Sequence, residues 1–219
     1  HLASRRQRQM CIRDSFLVMV IVGSGIMAEN LTNDNAVRLL ANTIATGAGL
    51  FVLITAFANI SGAHLNPFVS LSMYLTKRIK GKELLTFIPA QILGCLLGVM
   101  LANVFFEHSI IELSTKNRDG FHIFLSEIVA TFGLIFIIFA TLKDGKTTVA
   151  ACVATYISAG YWFTSSTSFA NPAVAIARTF TDSFTGINYL NTPTYIFAEL
   201  LGAIAVSYTH LRAHETLDN

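Results

Sequence analysis

The chain has 219 residues, of which 53% are hydrophobic and 13% charged, and its mean hydropathy is +0.57. Soluble domains carry about 25% charged residues, so this composition excludes an ordinary soluble enzyme or binding module and places the chain in a bilayer. A formal net charge of +2 offers no basic face for nucleic acid.

In chain order, residues 1–15 (HLASRRQRQMCIRDS) come first, with neither helical periodicity nor membrane character. Residues 207–219 (SYTHLRAHETLDN) end the chain in the same way. Both strings look like translations of the adapters used in transposase-based sequencing libraries, and they are set aside as foreign tails. Without them ten basic and ten acidic residues remain, so the pI of 8.5 belongs to the tails. Residues 16–28 and 195–206 are apolar but too short to span, and read as spans cut in mid-helix. Four stretches, 39–60, 84–106, 121–142 and 148–165, reach the roughly 17 residues a span needs. Shorter helical stretches begin at Asn66 and Asn171 and should dip into the membrane and return.

The second half repeats the first: each has a span, a loop, a longer span, an Asn-Pro, a short helix and a third span. This gives a body at 16–206, with repeats at 16–106 and 121–206. Three spans per half invert the second repeat, so the short helices enter from opposite faces and can meet at the midplane. Lys77, Arg78, Lys80, Lys82, Lys143 and Lys146 mark the cytoplasmic loops. Cys11, Cys95 and Cys152 show neither disulfide nor metal-ligand spacing. Gly94 and Gly98 form a small-xxx-small contact face.

The two dipping motifs are SGAHLNPFVSL at 61–71 and SFANPAVAIARTF at 168–180. Asn is a strong N-cap, and Pro fits the first helical turn because its missing N–H would be unpaired there. One such pair is weak evidence. Two in matching places of an inverted repeat are specific, and over about 16–206 the chain resembles the aquaporin and glycerol-facilitator family.

That resemblance implies an all-α membrane fold of six transmembrane helices and two re-entrant half-helices. It implies a passive channel for water and small neutral solutes, with no catalysis, cofactor or metal, assembled as a homotetramer in a bacterial plasma membrane. Asn66, Pro67 and Phe68, with Asn171, Pro172 and Ala173, would form the pore motif. The half-helix N-termini would oppose cations. Phe68 stands where the family usually has Ala, and Val174 where it has the constriction Arg. Without gaps the other filter positions fall at Ala48, Ala159 and Ser168, a small and apolar ring that admits larger solutes. The 161–178 segment and Val174 are similar to a bacterial subgroup associated with arsenic resistance, which suggests polyols and neutral metalloid acids.

Arg178 could lean back to the filter, or pair with Asp182 or a loop carbonyl. Glu127 implies a scaffold that holds the second dipping loop, and His64 either a pore-lining or a structural role. Gln91 and Glu199 read as span packing. A secondary transporter with inverted repeats is the rival class, although it usually places ionisable residues at the midplane. Superposing the halves sets Met10 opposite Glu127, and Arg13 and Asp14 opposite Ala130 and Thr131. On that register a native Glu is expected at position 10, small residues are expected near 13 and 14, and the chain as written should fold poorly.

Overall fold

The computed structural model describes the backbone of residues 2–217 and the side chains of 7–60 and 62–212. Eight helices make up the described chain: α1 Leu2–Leu31, α2 Asn35–Ser61, α3 Pro67–Leu75, α4 Gly81–Phe105, α5 Phe121–Thr141, α6 Lys146–Phe163, α7 Pro172–Arg178 and α8 Thr192–Leu217. The bounds of α2 have a local cause. Asp34 caps α2 by accepting from the N–H groups of Ala36 and Val37, at 2.7 and 3.2 Å. Gly62, at φ 74°, ends it in the left-handed conformation.

The halves pack alike. Helix α1 lies along α4 as α5 lies along α8, and α2 meets α6 across the centre. Glycines set the closest approaches: a Cβ at Gly94 would lie 2.6 Å from the Cys11 carbonyl oxygen, and one at Gly202 would lie 2.4 Å from that of Ile128. The short helices α3 and α7 pack against α4 and α8. Large apolar side chains such as Leu85, Leu93, Phe105, Phe121 and Phe136 cover the outside. That is the arrangement for an acyl-chain solvent rather than water.

Helices α1 (from Gln7), α2, α4 and α5 are long and apolar enough to cross a membrane. The expected span at 148–165 is α6, only 18 residues long and rich in Ala and Thr. The strings read from the sequence as foreign tails are helical where they are described. Helix α1 runs through residues 7–15 and α8 through 207–212 without a break. A helix already nucleated gains one backbone hydrogen bond per added residue, so polar sequence does not stop it. Met10, Arg13 and Asp14 are fully buried, with Arg13 Nε 3.4 Å from Asp14 Oδ1.

Candidate functional site

Two helix starts face each other in the interior. Asn66 N-caps α3, its Oδ1 accepting from Phe68 N at 2.8 Å and Val69 N at 3.4 Å. Asn171 N-caps α7, with Ala173 N at 3.1 Å and Val174 N at 3.4 Å. Pro67 and Pro172 occupy the first helical positions. Each Asn also reaches across the junction. Asn66 Nδ2 donates to the Ala170 carbonyl at 2.5 Å, and Asn171 Nδ2 to the Leu65 carbonyl at 2.7 Å. A carboxamide nitrogen has two N–H groups, and this crossed pair uses one from each.

Both Asn residues line a cavity of about 510 Å³. Its walls repeat at helical spacing: Thr46, Leu50, Ile54 and Ala58 on α2, and Val149, Val153, Ile157 and Tyr161 on α6. Leu17 and Ile21 on α1 match Leu134 and Ile138 on α5. Arg78, Lys143 and Lys146 stand at one end. The other end holds Tyr161, Ser168, Phe169, Val174 and Arg178. Thr46 Oγ1 and Tyr161 OH are hydrogen-bonded at 3.1 Å, while Ser168 Oγ has no partner among the described residues.

The sequence profile of the family described as Major intrinsic protein matches residues 9–210. The chain belongs to that family. It is 46% identical to "Aquaglyceroporin AqpS" of Rhizobium meliloti (strain 1021) over 201 residues, which are 92% of this chain and 86% of the relative. Against "Aquaporin-4" of Rattus norvegicus the identity is 27%, over 85% of this chain and 60% of that protein. The X-ray structure of the aquaglyceroporin from Plasmodium falciparum shares the fold, with a TM-score of 0.72 at 20% identity over 94% of each chain. As a major intrinsic protein the chain is a multi-pass membrane channel protein for water and small solutes.

Within this major intrinsic protein fold, two expected filter positions are corrected. Ala48 and Ala159 are exposed and lie outside the cavity, where Thr46 and Tyr161 stand instead. Two residues along a helix turn a side chain through about 200°, so a register slip of two carries it from the cavity to the outside. Ser168 and Val174 do line the cavity. Phe68 packs partly buried against the apolar core, outside the cavity lining. His64 lines the cavity, with Nδ1 2.9 Å from Ser70 Oγ and its ring edge-on to Phe87.

Glu127 is fully buried and accepts from Phe169 N at 3.0 Å and Ala170 N at 2.7 Å. Ser168 and Ala170 need this support, because both are held at positive φ, 50° and 48°. Glu199, read from sequence as span packing, accepts from Asn171 N at 2.9 Å. The signal for it was its place in the repeat, where Ala198-Glu199 echoes Ala90-Gln91. Arg178 bonds a loop carbonyl, that of Thr185, while Asp182 accepts from Thr115 N at 2.8 Å. Among the described residues no group of three or more His, Cys, Asp or Glu could hold a metal ion.

Proposed function

We propose that the chain conducts small uncharged solutes of the glycerol and neutral metalloid-acid class, together with water, passively through this cavity. The crossed Asn66 and Asn171 amides at its middle carry the reading. Each keeps one N–H for a passing oxygen, and two opposed helix N-termini disfavour cations. Apolar walls interrupted by a few polar groups suit a solute with both C–H and O–H faces. Val174 in place of a cation leaves the outer constriction permissive, and the relative from Rhizobium meliloti is itself named an aquaglyceroporin. Assembly as a homotetramer belongs to the same proposal.

Liposome swelling under an osmotic gradient is the test. Fast, gradient-driven, non-saturating glycerol flux supports the channel, whereas slow saturable flux favours a secondary transporter. Glu127 argues against the transporter, because both carboxylate oxygens are occupied by backbone N–H groups. Val174→Arg is expected to cut glycerol or metalloid-acid flux more than water flux. Equal loss of both, or no change, counts against a permissive filter.

A further inference from the structure

We propose that Arg178, one helical turn beyond the Asn-Pro-Ala sequence, supplies the fixed cation and hydrogen-bond donor of the outer constriction. This rests on reading the cavity as the conducting pore. Arg178 is the last residue of α7, is 3% exposed and lines the cavity. Its guanidinium carbon lies 3.4 Å from the Phe169 ring centroid, and Nε donates to the Thr185 carbonyl. Neither terminal nitrogen has a hydrogen-bond partner among the described residues, and no carboxylate pairs with the group. A buried guanidinium without a counter-ion is costly unless water or solute can reach it, and Arg178 lines the cavity. Ser168 Oγ, also buried and without a hydrogen-bond partner among the described residues, belongs to a residue that lines the same space.

The group is also held from outside. Residues 183–186 form a turn closed by Gly186 N, which donates to the Ser183 carbonyl at 2.9 Å, and the next three carbonyls are bound from different sides. Arg118 donates from Nη2 to the Phe184 carbonyl at 3.0 Å and from Nε to that of Gly186 at 2.8 Å. Lys116 Nζ adds a bond to the Phe184 carbonyl at 2.8 Å. The Thr185 carbonyl between them is left facing Arg178. Glu29 fixes the segment further by accepting from Phe184 N at 2.6 Å. Arg118 is thus a positioning residue for Arg178.

Arg178 lies four positions beyond Val174, about 6 Å along the axis of α7. Val174 and the cation are thereby offset in depth. A solute meets the donor before it reaches Val174, so the passage at Val174 can be wide while cations are still repelled. The ligand chemistry is an uncharged solute carrying a hydroxyl or carbonyl oxygen.

The test uses the whole chain in proteoliposomes, with stopped-flow water and glycerol flux and methylammonium leak measured side by side. Arg178→Leu should raise the methylammonium leak about tenfold or more, because the repelling charge is gone. Arg178→Lys should keep cation exclusion but lower the glycerol-to-water ratio, since a point charge lacks the guanidinium fork. Arg118→Gln should raise the leak to an intermediate level. The double variant Val174→Arg with Arg178→Leu should regain exclusion. If the Leu variant is not recovered in membranes, the Lys variant still decides, because a merely structural Arg178 scales all fluxes together. An unchanged leak and an unchanged solute ratio in the Leu and Lys variants overturn the proposal. A wild-type chain that passes neither water nor glycerol overturns the pore reading itself.

Discussion

The two dipping loops have the same backbone and different anchors. Ala63 and Leu65 in the first sit at positive φ, as do Ser168 and Ala170 in the second. Around the second loop, Glu127 and Glu199 take the N–H groups of Phe169, Ala170 and Asn171. Around the first, Met10 and Gln91 occupy the matching places. The register that pairs Leu17 with Leu134 along the cavity also pairs Met10 with Glu127. Gln91 turns its Nε2 to Ser70 Oγ at 3.1 Å, and its Oε1 has no partner among the described residues. No described residue accepts from the N–H of His64, Leu65 or Asn66. A strained loop is held where carboxylates collect its N–H groups, and the same backbone without them depends on packing and on the crossed Asn bond.

The largest effect should come from breaking the well-anchored side. Glu127→Ala strands two buried N–H groups at about 1–3 kcal/mol each, and is expected to lower stability in detergent by roughly 2–6 kcal/mol and abolish solute flux. A thermal unfolding midpoint unchanged from wild type would remove Glu127 from the scaffold. The helix contacts beneath the two loops come next. Gly94→Ala and Gly202→Ala each drive a Cβ into a facing carbonyl and should cost about 1–3 kcal/mol. The two losses should be of similar size if the halves pack alike, and guanidinium titration of both variants checks this.

The comparison is sharpened by supplying the missing anchor. Met10→Glu should stabilise the chain by about 1 kcal/mol, seen as a rise of about 2–4 °C in unfolding midpoint, if the new carboxylate collects first-loop N–H groups. A fall would show that the first loop offers no accessible donors. The smallest effect concerns the outer ties of the second loop. Burial, and then the charge of Arg118, lowers the Lys116 ammonium from 10.5 to about 8. The native state therefore favours the neutral amine. The resulting stabilisation is present in full above pH 10.5 and is lost as pH falls through about 8. Raising pH from about 7.5 to about 9.5 should lift the wild-type midpoint slightly relative to Lys116→Met. A constant difference between the two would mean that Lys116 does not titrate in this range.

Sequence alone determined the membrane class, the inverted repeat and the starts of both half-helices. Each is written in local pattern: apolar run length, the order of elements in each half, and an Asn-Pro pair whose capping chemistry needs no distant partner. Tertiary structure decided what depends on the facing of side chains between elements. It put Thr46 and Tyr161 in the cavity in place of Ala48 and Ala159, because the polar residues of α2 and α6 fall on both the buried and the exposed stripes and do not declare which faces inward. It gave Glu199 its partner 28 positions earlier in the chain, at Asn171. It carried α1 through residues 7–15, whose polar sequence gave no sign of a span. It also aimed Arg178 by a carbonyl whose direction is set from the 106–120 connection. Hydrogen bonds between segments far apart in the chain have no periodicity to read, so the anchors of the two loops became visible only once the helices were packed.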